Sequence, residues 1–162
     1  WHFVGHLQTN KVKQVVGLFD LIHSVDSLKL AAALDASLSI RTGPDIEART
    51  RQKVLIQVNI AGEATKSGVL PERLGLMVKE MAQYQTLSIV GLMTIPLAFD
   101  DPERARPFFR ALRELAKSIE KNGMEGVSMM ELSMGMSGDF EVAIEEGATL
   151  VRIGTAIFGP RN

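Results

Sequence analysis

Serine and glycine crowd one stretch near the end of this chain. Ser133, Gly135, Ser137 and Gly138, in LSMGMSGDF, run directly into a segment of helical period at 139–146. Free backbone N–H groups at a helix start attract an anion, hydroxyls add donors, and glycines let the anion approach the backbone. Further on, TLVRIG (149–154) reads as a short buried strand that carries Arg152 and releases Gly154 and Thr155 at its tip. Set side by side, these residues describe a phosphate site. A plainer reading is open too: Ser137 or Asp139 caps the helix and the glycines make a tight turn. Arg152 is equally two-sided. A buried guanidinium needs a partner, either a core carboxylate such as Glu131 or an acceptor on a ligand.

Other chemistry is thinner. His2 and His6 stand four apart on a strand-like segment, which puts them on one face, but no third ligand accompanies them and no metal is expected. His23 reads as a hydrogen-bonded residue near a strand end. Met129, Met130, Met134 and Met136 read as core filler. No Ser-His-Asp or Cys-His set can be assembled, and the chain has no cysteine at all.

The elements that must position these residues alternate. Strand-like segments fall at 2–7, 20–25, 53–60, 87–95, 130–135 and 149–154, and helical periods at 10–19, 28–41, 71–85, 102–121 and 139–146. Ser27, Pro71 and Pro102 mark helix starts, and Gly123 follows a helix end. Near-continuous apolar strands imply a parallel sheet covered on both faces. The class is α/β, either a doubly wound sheet or a (β/α)8 TIM-type barrel, here with about six βα units. No GxGxxG supports a dinucleotide fold. In such a protein ligands meet the C-terminal strand ends, which is where the serine turn and Arg152 fall.

The totals agree. With 162 residues, 46% hydrophobic and 23% charged, the chain fits one globular domain over 1–162. A net charge of −1 gives no field toward nucleic acid or anionic lipid. No apolar run reaches the ~18 residues of a membrane span, and the lack of cysteine suits the cytoplasm.

WHFVGHLQTNKVKQVV, VLIQVNIAGEATKSG, GLMTIP and LSMGMSGDFEVAIEEGATLVRIGTAIFG resemble the pyridoxal-phosphate homeostasis proteins, which are related to the barrel of alanine racemase. The resemblance covers essentially the whole chain. It implies a (β/α)8 barrel holding pyridoxal 5′-phosphate (PLP) at its mouth. The phosphate would rest on Ser133, Ser137 and Gly138, the backbone around Gly154 and the Thr155 hydroxyl, and Arg152 would stand near the pyridine nitrogen. A permanent cation there disfavours ring protonation and makes the cofactor a weaker electron sink. The implied role is therefore a cytoplasmic, non-catalytic carrier or regulator of the vitamin B6 pool, with PLP-dependent apo-enzymes as partners. The family begins with two further βα units, which carry the Schiff-base lysine and an asparagine motif. The expectation is a C-terminal portion corresponding to strands three to eight, with the lysine in the N-terminal part. None of Lys11, Lys13, Lys29, Lys53, Lys66, Lys79, Lys117 and Lys121 takes that role. The intact family implies a monomer, and six strands leave edges that could pair between chains.

Two rivals share the fold. A PLP-dependent racemase needs an acid–base residue on each face of the substrate carbon, and Tyr84 is the lone tyrosine. A phosphate-sugar enzyme needs convergent carboxylates, for which only Glu131 and Asp139 offer.

Overall fold

The computed structural model describes residues 1–42, 51–63 and 65–160. Six strands form one parallel sheet: β1 (His2–Phe3), β2 (Leu21–Val25), β3 (Gln52–Gln57), β4 (Leu87–Met93), β5 (Val127–Met136) and β6 (Leu150–Arg152). Each is hydrogen-bonded to its neighbour in sequence, in the order β1-β2-β3-β4-β5-β6. That order decides between the two architectures. A doubly wound sheet reverses direction at a switch point, whereas a barrel adds strands in sequence, and here nothing reverses.

The helices between the strands are α1 (Val12–Val15), α2 (Leu28–Thr42), α3 (Pro71–Met81), α4 (Arg106–Glu120) and α5 (Phe140–Glu145), and α6 (Thr155–Phe158) follows β6. Their starts follow local chemistry. The Ser27 hydroxyl accepts from the Leu30 N–H at 3.3 Å, Pro71 opens α3, and Asp101 accepts from the Glu103 N–H at 3.0 Å at a 3-10 turn, Pro102–Ala105, that leads into α4 where a helix from 102 is expected. The expected helix at 10–19 is shorter than its periodicity suggests. It is a 3-10 turn followed by α1, and Gly17 ends it at φ 75°. The expected strand 2–7 pairs with β2 only at His2 and Phe3.

Alternation sorts the strand residues onto two faces. Ile22, Val54, Ile56, Leu92, Leu132 and Met134 join Leu34, Val78, Phe109 and Leu112 in the main core between sheet and helices. Leu21, Leu55 and Met93, with Val90 and Leu150, form a smaller cluster on the opposite, concave face. Fully burying a side chain such as Phe109 contributes about 2 kcal/mol. Met129 and Met134 are core, as expected, but Met130 is 76% exposed on the concave side.

The outer layer is tied by one carboxylate. Glu146 is 4% exposed and meets Arg106 at 3.3 Å, Arg110 at 2.9 Å and Arg113 at 3.2 Å. Arg106, Arg110 and Arg113 recur on one face of α4. Arg110 above all, with Arg106 and Arg113, holds the Glu146 carboxyl below its ordinary value. Its contribution is thus present above the unfolded carboxylate pKa and is lost as pH falls through the lower folded one. Glu146→Gln should lower stability by about 1.5 kcal/mol at pH 7, read as a shift in urea midpoint, and the deficit should shrink at acid pH.

Candidate functional site

Parallel strands deliver their C-terminal tips to one rim. At this rim Met136 of β5 pairs with Arg152 of β6. Ser137 and Gly138 follow the first strand, and Gly154 and Thr155 follow the second.

The two serines expected in one turn divide between two places. Ser137 stands in the turn, where its Oγ accepts from the Gly154 N–H at 3.3 Å and the Ala156 N–H at 3.2 Å. It does not cap α5. Asp139 precedes that helix, and its carboxylate accepts instead from the Met136 N–H at 2.6 Å. Ser137 is half-buried, while Gly138, Gly154 and Thr155 are exposed. Two backbone donors thus pair with one hydroxyl, and exposed glycines lie beside it. Two small cavities, of about 110 and 120 Å³, flank Gly138 and Asp139.

Ser133 lies elsewhere, because β5 continues to Met136 and keeps both Ser133 and Gly135 in the strand. Ser133 is fully buried and pairs in register with Met93 and Leu150, both members of the concave cluster. Gly135 is a packing device: at φ 93° a Cβ would stand 2.5 Å from that of Ala143. It lets α5 close on β5.

Arg152 joins the two places. Its Nη1 donates to Ser133 Oγ at 2.7 Å and its Nη2 to the Thr94 carbonyl at 2.8 Å. The Glu131 alternative is not realised, since that carboxylate accepts from the Thr149 hydroxyl at 2.6 Å. Burial pushes the guanidinium down to about 10, with Asp139 opposing the shift. It remains a cation at neutral pH, and only two of its five N–H donors are committed here.

Behind Ser133 stands His23, 2% exposed, with Nδ1 2.9 Å from Ser133 Oγ and Nε2 3.1 Å from His2 Nδ1. Burial first, then the neighbouring His2 and Arg152, lowers its pKa to about 4, so it is neutral over most of the working range. Sequence spacing gave no hint of this partnership, because the residues lie on β1, β2 and β5.

The remaining candidates are remote or occupied. Tyr84 packs against the helix-side core. Lys66 pairs with Glu63 at 2.9 Å and reaches the Pro96 carbonyl at 3.4 Å. Among the described residues no group of three or more metal-ligating side chains converges. A cavity of about 310 Å³ is lined by Asp20, Leu21, Lys53 and Ser128 at the strand starts, the opposite end from Ser137.

The family model described as alanine racemase, N-terminal domain, matches residues 1–162. The pyridoxal phosphate homeostasis protein of Aquifex aeolicus is 47% identical over 162 residues, which are 100% of this chain and 67% of that protein. The human protein of the same name is 40% identical over 167 residues, covering 100% of this chain and 58% of its own length. The chain thus spans about two thirds or less of these relatives. Among solved structures, PipY of Synechococcus elongatus with PLP bound is 34% identical, with a TM-score of 0.83 over 98% of this chain and 70% of that one. Alanine racemase of Clostridium difficile, at 14% identity and a TM-score of 0.74 over 99% of this chain and 39% of its own, shares the fold.

Proposed function

This chain belongs to the family described as alanine racemase, N-terminal domain, among the pyridoxal phosphate homeostasis proteins, and on that footing we propose that it binds PLP at the rim formed by β5 and β6. The observation that carries the reading is the convergence of the Gly154 and Ala156 N–H groups on Ser137 Oγ. The donor set suits a phosphate dianion, which needs several N–H and O–H donors and close backbone approach. Ser137, Gly138, Gly154 and Thr155 would hold the phosphate. Arg152 would face the pyridine nitrogen, with Ser133 behind it rather than on the phosphate.

PLP when bound supplies an aldehyde and an electron-withdrawing ring. The chain's own contribution is to keep a proton off the ring nitrogen, because a guanidinium that stays charged at neutral pH leaves no carboxylate there to favour one. That suits holding and passing on the cofactor better than amino-acid chemistry, and the relatives carry homeostasis in their name. Residues 1–162 act as one domain in this reading. Its setting is the cytoplasm, and its downstream partners are PLP-dependent apo-enzymes. Edge-to-edge pairing of β1 or β6 between chains is a further part of it. No helix of the described residues is long and apolar enough to cross a membrane.

The test compares PLP with pyridoxal, which lacks the phosphate, by titration calorimetry. PLP should bind at least about tenfold more tightly, a difference of about 1.4 kcal/mol, and Ser137→Asp should erase the preference by repulsion. Equal affinities for the two ligands would overturn the phosphate assignment.

A further inference from the structure

We infer that Ser133 and His23 are positioning residues for Arg152, the inner links of a directed hydrogen-bond chain that runs from the rim cation down the concave face to His2. The consequence for PLP rests on the reading above, whereas the chain itself rests on geometry alone.

The direction follows from valence. A guanidinium can only donate, so Ser133 Oγ accepts from Arg152 Nη1 at 2.7 Å. The serine's own proton then needs an acceptor in a place with no solvent, and His23 Nδ1 at 2.9 Å is the acceptor within reach. Nδ1 is therefore unprotonated and the His23 proton sits on Nε2. From there it is donated to His2 Nδ1 at 3.1 Å. In the reverse arrangement, two donors would press on Ser133 Oγ and its hydroxyl proton would point at nothing. A buried group left unsatisfied in that way is strongly disfavoured.

Four strands contribute one residue each: His2 from β1, His23 from β2, Ser133 from β5 and Arg152 from β6. Ser133 and the Thr94 carbonyl take one terminal nitrogen of the guanidinium apiece, which fixes its plane. Arg152 has no carboxylate partner among the described ion pairs. Its orientation is set by neutral acceptors, and it stays electrostatically available to a ligand. The charged and titratable groups near His23 are His2 on β1 and Arg152 on β6.

Nitrogen NMR of the wild-type chain at pH 7 tests the direction without any substitution. His23 should show a protonated Nε2 and a bare Nδ1, and a protonated Nδ1 would overturn the inference. Ser133→Ala should merge the resolved Arg152 Nη signals by freeing rotation of the guanidinium. It should weaken PLP binding about fivefold, roughly 1 kcal/mol, and leave inorganic phosphate binding unchanged. His23→Asn keeps an acceptor for Ser133 and should restore much of the Arg152 signature, while His23→Leu should not. Unchanged Arg152 signals in Ser133→Ala would sink the positioning role. If the signals respond but the wild type fails to distinguish PLP from pyridoxal, the chain stands and the proposed function falls.

Discussion

Gly91→Ala is expected to cost about 3 kcal/mol or more. The reason is a bulge. Val54 of β3 pairs with Ile89 of β4, yet the next residue, Leu55, pairs with Gly91. β4 thus spends two residues where β3 spends one. On the other side, Ile89 pairs with Val127 and Gly91 with Glu131, so β5 is irregular at the same level. The two irregular strands press their backbones together at Gly91. A Cβ there would stand 1.8 Å from the Glu131 carbonyl oxygen and 2.6 Å from its carbon. Backbone cannot swing aside as a flexible side chain can, so β4 and β5 must separate locally. Urea midpoints measure the cost. Gly75→Ala supplies the opposite sign from the same chemical change: Gly75 is exposed inside α3, a Cβ meets nothing, and helix propensity should add about 0.5–1 kcal/mol of stability. Stability of Gly91→Ala within about 0.5 kcal/mol of wild type would refute the packing argument.

Acidification between pH 6.5 and 4.5 should remove about 1.5 kcal/mol of stability through His23. Burial, with His2 and Arg152 adding to it, lowers its pKa from 6.5 to about 4 in the folded chain. The unfolded chain therefore takes up a proton near 6.5 that the folded chain refuses until about 4. Over that window the unfolded state binds more protons, so stability rises with pH and falls on acidification. The raw shift corresponds to more than 2 kcal/mol, and the figure is reduced to allow for solvent screening. Glu146 does not confound the window, since its carboxyl is lowered from an ordinary value of 4.5 and its loss comes at lower pH. Chemical denaturation at half-unit pH steps gives the slope. His23→Asn lacks the titration and should be distinctly flatter over the same range. A parallel slope in the two proteins would remove His23 as the cause.

Much of the outline is legible in the residues. Ser27, Pro71, Pro102 and Gly123 punctuate the helices because their effects act within a turn or two of backbone. The apolar strands announced a parallel sheet. Arg152, Gly154 and Thr155 are legible as a strand tip because the strand is short and a glycine follows it, although β6 is half-buried with Val151 exposed rather than the buried strand expected. Serine and glycine spacing pointed to the rim, and the resemblance named the family. Where the reading slipped, the cause is local. Met130 reads as core and Ser133 as part of the same stretch as Ser137, but β5 runs on to Met136 with an irregularity near Glu131, which leaves Met130 exposed and Ser133 buried within the strand.

The residues by themselves determined what acts over short range: which segments are strands or helices, where they begin, and that a serine- and glycine-rich set sits at a C-terminal rim. Only the folded chain decided which side of the sheet each strand residue meets. A bulge inverts the parity of everything beyond it, and at Gly91 both the β3–β4 and the β4–β5 pairings shift. Nor could spacing reveal that His23 and Ser133, 110 residues apart, would share one proton-ordered chain with Arg152. That pairing is a product of strand register, which is set by the packing of all six strands together.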